Sequence, residues 1–136
     1  MHASLAAVPL DADAATIDRI VVVQARILAA PAEEVIAAQQ LVGAVLSHEL
    51  LTGARRAAER GALFRETPMT IVRDGQVLEG NVDLAFETED GFTVIDFKTD
   101  RAEGVVLDTY ARQVQLYAEA IGEATSRPAR ALLVSV

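Results

Sequence analysis

The clearest pattern of hydrophobic and polar positions lies between residues 77 and 98. In Val77–Glu87 the large apolar side chains fall at even positions: Leu78, Val82, Leu84 and Phe86. A period of two is typical of a β-strand that buries one face in a core. Glu89-Asp90-Gly91 provides turn-forming residues, and Phe92–Lys98 alternates again. We therefore predict a β-hairpin.

Helix and strand signals lie on both sides of this hairpin. Apolar residues at helical spacing predict one helix from Asp13, a second opened by Pro31 and a short third one capped by Ser47. A strand and a tight turn are predicted next, at Phe64–Val72 and Asp74-Gly75.

The segment after the hairpin is predicted to contain one helix and one strand. A polar loop begins at Asp100, a helix follows from Asp108, as its N-cap, to Ala124, and a last strand covers Ala129–Val136. The order of elements predicts an α/β (α+β) fold with a small mixed β-sheet flanked by helices. We expect residues 1–136 to form a single domain.

The hairpin turn allows two registers that keep apolar residues opposite each other. If the turn is centred on Glu89-Asp90, Leu84 lies opposite Ile95 and Asp83 opposite Asp96. If it is centred on Asp90-Gly91, Asp83 lies opposite Lys98 instead. In both registers Asp83, Asp96 and Lys98 share one face, because a one-residue slip would turn the apolar set to the wrong side.

Carboxylates on neighbouring strands raise the question of what lies between them. Opposed Cβ atoms are about 5 Å apart, and like charges at that distance repel each other. A divalent cation with oxygen ligands would remove the repulsion, with Lys98 beside it. The alternative is a set of solvated charges on the outer face of a sheet, and the spacing alone leaves both interpretations open.

Composition narrows the class of protein. The chain has 136 residues, no cysteine and a formal net charge of −8. The absence of cysteine excludes a thiolate zinc site or an iron–sulfur cluster and favours a cytoplasmic protein. No apolar run is long enough for a membrane span, so we expect no membrane partner. The acidic balance argues against strong autonomous DNA binding.

The motif Gly80-Asn81-Val82-Asp83 followed by Asp96-Phe97-Lys98-Thr99 resembles two motifs of the PD-(D/E)xK nuclease superfamily. The closest resemblance is to the RecB-like group, the C-terminal nuclease domains of bacterial RecB/AddA-type helicase–nucleases. That group also has a glutamate before an apolar strand and a later helix with a Gln-x-x-x-Tyr motif. Glu66, and Gln113 with Tyr117, match these features here.

The resemblance implies a restriction-endonuclease-like core and a role for each matching residue. Asp83 and Asp96 would bind Mg²⁺, for which Mn²⁺ can substitute, together with the carbonyl of Phe97. Lys98 would orient the attacking water or stabilise the charge on the phosphate. Glu66 would reach the metal directly or through water. Gln113 and Tyr117 would both belong to the catalytic set, with Gln113 in contact with phosphate or metal-bound water and Tyr110 on the same side of the helix. The alternative is that Tyr117 and Tyr110 are both core residues.

A histidine ligand is also expected from the resemblance, because the RecB-like group has one on an early helix. His2, in His2–Leu10, resembles the second half of that motif, whereas His48 lies where relatives have an apolar helix. We therefore prefer His2, although a histidine so close to the N-terminus can also be a frayed end.

The function that the resemblance implies is Mg²⁺-dependent hydrolysis of phosphodiester bonds in DNA. The setting would be double-strand break repair and recombination, with a helicase domain or a partner helicase–nuclease subunit, and the chain would be part of a larger helicase–nuclease. The alternatives are a non-catalytic nuclease-like module that guides DNA or contacts proteins, and a metal-free scaffold.

Overall fold

The computed structural model describes residues 1–99 and 103–136, and the start of the polar loop predicted after Asp100 lies outside them. Residues 1–55 and 56–136 form two compact units, which are described separately.

The first unit is helical. It contains α1 (His2–Ala7), α2 (Ala14–Ile27), α3 (Ala32–Ser47), a 3-10 helix (Glu49–Leu51) and the first turn of α4 (Thr52–Glu59). Helix α2 begins at its predicted cap, because Asp13 accepts a hydrogen bond from the Thr16 N–H at 2.8 Å. Val8, Val21 and Val42 are fully buried in this unit.

The cap predicted at Ser47 is wrong by one residue. Ser47 is the last residue of α3, and its hydroxyl donates to the Ala44 carbonyl within that helix. His48 caps the following 3-10 helix instead, because its Nδ1 accepts a hydrogen bond from the Leu50 N–H at 3.2 Å. Within the described residues no single helix is long and apolar enough to cross a membrane. The bent pair Ala32–Ser47 and Glu49–Glu59 passes that test by length and composition only.

The second unit is a four-stranded mixed sheet with one long helix. Its elements are β1 (Leu63–Arg73), β2 (Gln76–Glu87), β3 (Phe92–Lys98), α5 (Gly104–Thr125) and β4 (Ala129–Ser135). The strand order is β1-β2-β3-β4. Strands β1, β2 and β3 are antiparallel neighbours, whereas β4 is parallel to β3 and is reached through α5. The predicted α/β fold with a small mixed sheet is confirmed.

The hairpin between β2 and β3 has the first of the two predicted registers. Leu84 lies opposite Ile95 and Phe86 opposite Thr93. The predicted one-sided burial is wrong for this part of the sheet, since Val82–Phe86 and Thr93–Phe97 are buried at every position. Helix α5 packs over Val94 and Ala85 with Val114, Tyr117 and Ala118, so a face expected to be polar is covered.

Helix α5 begins earlier than predicted. Glu103 is its N-cap and Gly104 its first residue, so Asp108 lies inside the helix. The first turn holds three exposed apolar residues, Val105, Val106 and Leu107. Because these three neighbours are all exposed, they show no apolar face at helical spacing, and the amphipathic pattern does not indicate this turn.

Candidate active site

Two aspartates lie where the ladder between β2 and β3 ends. The last paired residues are Leu84 and Ile95, and the next residues on the two strands are Asp83 and Asp96. Asp83 Oδ2 accepts a hydrogen bond from the Phe97 N–H at 2.8 Å, so a side chain binds a backbone donor just beyond the ladder. Both aspartates are buried, with exposed fractions of 8% and 4%. The strands thus place two carboxylates together in a site with little water.

Lys98 is the cation nearest to this pair within the described residues. Its Nζ lies 3.0 Å from Asp96 Oδ2. The contact is close but poorly directed, because Asp96 Oδ2 has no hydrogen-bond partner of good geometry among the described residues. Buried carboxylate oxygens normally have one. This oxygen can therefore accept a further positive partner.

The donor chemistry of the site fits a divalent cation. Carboxylate oxygens are the ligands that Mg²⁺ and Mn²⁺ prefer, and an unsatisfied buried oxygen is where such an ion gains most. Asp96 and Asp83 supply that chemistry on neighbouring strands.

The electrostatics of the metal-free site favour a proton where the cation would bind. Burial raises the pKa of Asp96 to about 6, with a further contribution from its hydrogen bond and charge interaction with Asp83, while Lys98 opposes the shift. Burial alone would lower the pKa of Lys98, but its close contact with the Asp96 carboxylate and the charge of that group outweigh burial and raise the pKa. Lys98 therefore stays positive beside the aspartates.

Glu66 lies beside Asp83 on the neighbouring strand. Arg65 pairs with Leu84 and Thr67 with Val82, so Glu66 is opposite Asp83. Carboxylate oxygens of the two residues lie within 4.8 Å of each other. Glu66 has a φ of 46°, a left-handed conformation that strains a residue with a side chain by about 1 kcal/mol or more. The strained residue, Glu66, thus brings a third carboxylate close to Asp83.

Helix α5 brings Tyr117 and Gln113 to the same site. Tyr117 is buried and close enough to Asp96 and Asp83 for burial and their charges to raise its pKa. The exposed side chain of Gln113 hydrogen-bonds Tyr117, which partly offsets that shift. Gln113 thus contacts the site through Tyr117.

The glycine in Gly80-Asn81-Val82-Asp83 makes room for a side chain of α5. A Cβ on residue 80 would overlap the Tyr117 hydroxyl. Only glycine lets this tyrosine lie against β2, so Gly80 and Tyr117 form one structural feature although 37 positions separate them (117 − 80). No local pattern in the sequence indicates this contact.

The other predicted residues have different outcomes. Phe97 is at the site through its N–H, while its carbonyl as a metal ligand remains a prediction. His2 is the first residue of α1 in the first unit, and its role as a ligand also remains a prediction. Tyr110, for which a core position was the alternative, is half-buried and has its ring centroid 4.3 Å from Lys98 Nζ.

Comparison with known proteins identifies the class. Residues 1–136 match the profile of the PD-(D/E)XK nuclease superfamily, and the chain belongs to that superfamily. Its members generally depend on divalent metal ions, in agreement with the carboxylates described above. The family predicted from the two motifs is confirmed.

The similar proteins are bacterial ATP-dependent helicase/nuclease subunits A. The chain is 40% identical to the Bacillus licheniformis protein over 90 residues, which cover 52% of this chain and 7% of that protein. It is 40% identical to the Carboxydothermus hydrogenoformans protein over 82 residues, which cover 48% of this chain and 7% of that protein. For the Bacillus cereus protein the identity is 35% over 65 residues, 40% of this chain and 5% of that protein. The chain thus spans a small part of the length of these relatives.

The contact between Gly80 and Tyr117 predicts a rescue experiment. Gly80→Ala should destabilise the protein by on the order of 1–3 kcal/mol, because its Cβ overlaps the tyrosine hydroxyl. Tyr117→Phe should recover part of this loss, since the next ring atom is 3.0 Å from that Cβ. Urea unfolding of the two single variants and the double variant measures the effect.

A second glycine provides the control for this experiment. Gly43 lies inside α3 with nothing within 4 Å of an added Cβ. Gly43→Ala should therefore stabilise the protein by up to about 1 kcal/mol. Strictly additive losses in the Gly80→Ala, Tyr117→Phe double variant would contradict the proposed overlap.

The pKa of Asp96 predicts how stability changes with pH in the metal-free protein. The folded pKa, about 6, is above the ordinary value of 3.8. The unfolded chain therefore releases this proton first, and stability is lost as pH rises from about 4 to about 6. Asp96→Asn lacks this titration, so it should be more stable than the parent at pH 7 by on the order of 3 kcal/mol.

Urea unfolding in EDTA at several pH values provides the measurement. The difference between Asp96→Asn and the parent should be small near pH 4 and reach its full size above about pH 6. A difference that is constant over this range would show that Asp96 ionises as it does in water.

Proposed function

We propose that this chain is a divalent-metal-dependent deoxyribonuclease domain that hydrolyses phosphodiester bonds in DNA. The observation that carries the proposal is the buried Asp83–Asp96 pair with Lys98 Nζ 3.0 Å from an Asp96 oxygen that lacks a directed hydrogen bond. Such a group is costly to a folded protein, and binding a cation provides a reason to keep it. Membership of a nuclease superfamily supports the same conclusion.

The metal that we propose is Mg²⁺, with Mn²⁺ as a substitute. Asp83, Asp96 and the Phe97 carbonyl would hold it, and we propose His2 as a further ligand from the family resemblance alone. When bound, such a cation would neutralise phosphate charge and lower the pKa of the attacking water. Glu66 would add a carboxylate near Asp83, directly or through water.

The protein's own groups have separate tasks in this proposal. Lys98 provides a positive charge that stays protonated, and it would stabilise the negative charge that develops on the phosphate. The Tyr117 side chain extends from α5 against β2, and it fixes how closely α5 approaches the aspartates. Gln113 hydrogen-bonds Tyr117 and is itself exposed, and we propose that its amide would contact a phosphate oxygen.

DNA binding is proposed to depend on other parts of a larger protein. A net charge of −8 repels a polyanion, and the relatives named above are helicase/nuclease subunits. We propose that a helicase domain or partner helicase–nuclease subunit delivers DNA to this site during double-strand break repair and recombination. We propose the cytoplasm as the location, because a chain without cysteine forms no disulfide, which fits a cytosolic protein.

The non-catalytic alternatives account for less of the site. A module that only guides DNA or contacts proteins has no need of buried opposed carboxylates, and a metal-free scaffold would be more stable without them. The close Lys98–Asp96 contact and the strained Glu66 add to this argument.

The proposal predicts metal-dependent cleavage of DNA. In Mn²⁺ the chain should degrade linear DNA slowly, and activity should fall as salt rises. Lys98→Ala should lower kcat by about a hundredfold and leave Mn²⁺ binding in place, because Lys98 is no ligand. Asp96→Asn should lose most Mn²⁺ affinity as well as activity. Gel assays and calorimetric titration measure the two properties.

A matched variant controls for the loss of one carboxylate. Asp90 is an exposed acid in the turn of the same hairpin, and Asp90→Asn should change neither Mn²⁺ binding nor cleavage. If Lys98→Ala and the parent cleave at the same rate, the activity comes from a contaminant or another site, and the proposal fails.

The two histidines predict different results in the same titration. His2→Ala should lower Mn²⁺ affinity if His2 is a ligand. His48→Ala should leave the affinity unchanged and destabilise the protein by about 0.5–1 kcal/mol, because it removes the cap of the 3-10 helix. Calorimetry and thermal unfolding distinguish these outcomes. Equal Mn²⁺ affinity in His2→Ala and the parent would remove His2 from the ligand set.

A further inference from the structure

Tyr110 covers the ammonium group of Lys98. The centre of its ring is 4.3 Å from Nζ, within the distance at which an aromatic face attracts a cation. The Lys98 side chain is largely covered, with 23% exposed. On its backbone, the Lys98 carbonyl accepts a hydrogen bond from the Val136 N–H at 2.9 Å. The chain thus fixes both the main chain and the charged end of this residue.

The ring is held in place by the helix that carries it. Tyr110, Val114 and Tyr117 follow each other at helical spacing, so they lie on one stripe of α5. Val114 and Tyr117 are buried in the core of the second unit, with exposed fractions of 3% and 5%. Tyr110 extends the same stripe toward Lys98 and is itself half-buried. The stripe therefore contacts the aspartate pair through Tyr117 and the lysine through Tyr110.

Asp96 alone is a poor anchor for the lysine. Its contact with Nζ is short but badly directed, and a lysine side chain has four rotatable bonds that leave it free to turn about one partner. A cation bound by Asp96 would also share the carboxylate charge that attracts Lys98. The Tyr110 ring carries no net charge, so it does not compete with Asp96 for a bound metal cation. Its attraction for the Lys98 ammonium also does not weaken when Asp96 binds one.

We propose that Tyr110 is a positioning residue that holds the Lys98 ammonium in the site. The proposal rests on the proposed nuclease function, and it adds to that function a residue outside the two motifs and the Gln113–Tyr117 pair. The aromatic face is what acts on the ammonium group, and phenylalanine keeps that face. Tyr110→Phe should therefore preserve the function, whereas Tyr110→Leu should remove it.

A double-mutant cycle tests the contact without any need for activity. Tyr110→Leu and Lys98→Met, alone and together, are unfolded with urea in EDTA. The two changes should be coupled by roughly two- to fivefold in the unfolding equilibrium constant. The control cycle uses Gln115→Leu in place of Tyr110→Leu. Gln115 is at an exposed position of α5, so this variant should show no coupling to Lys98→Met. An uncoupled Tyr110–Lys98 pair would overturn the proposal.

Cleavage rates test the consequence for the reaction. Tyr110→Leu should lower kcat by roughly three- to tenfold with little change in KM, because the lysine acts on the transition state. Tyr110→Phe should stay within about twofold of the parent, by the same reasoning. If coupling is present but Tyr110→Leu cleaves like the parent, Tyr110 has no positioning role. If the parent does not cleave DNA in Mn²⁺, the proposed function fails, and the unfolding cycle still decides whether Tyr110 holds Lys98.

Discussion

Repulsion between two buried carboxylates is the constraint on which the second unit depends. Asp83 and Asp96 are adjacent because β2 and β3 stop pairing just before them, and parts of the surrounding structure offset their repulsion. The Phe97 N–H binds Asp83, Lys98 approaches Asp96, and burial favours a proton on Asp96. None of these satisfies Asp96 Oδ2 completely, and this unsatisfied oxygen is the basis of the proposed cation site.

The mixed topology of the sheet supplies the cover for this pair. Strand β4 returns parallel to β3, which requires a long connection across one face of the sheet. Helix α5 is that connection, and it reaches the aspartates because Gly80 leaves room for Tyr117. The helix is thus both the core partner of Ala85 and Val94 and the element that places aromatic groups at the site.

The local parts of this structure were predictable, whereas the contacts between distant segments were not. The hairpin, one of its two registers and the shared face of Asp83, Asp96 and Lys98 follow from a period of two and a short turn. The expectation of one-sided burial was wrong because α5 covers the face of the sheet that was expected to be polar. This is a tertiary contact, and alternation within one strand does not indicate it.

The misplaced helix start and cap have local causes. An exposed apolar first turn hides the beginning of α5, and a histidine replaces serine as the cap after α3. Glu66 has a further consequence: a glycine there would relax its left-handed backbone. Selection for thermal tolerance alone would therefore replace Glu66 by glycine. It would also replace the buried Asp96 by a neutral residue. A chain that carries both residues is therefore less stable than it could be, which is consistent with a function that requires them.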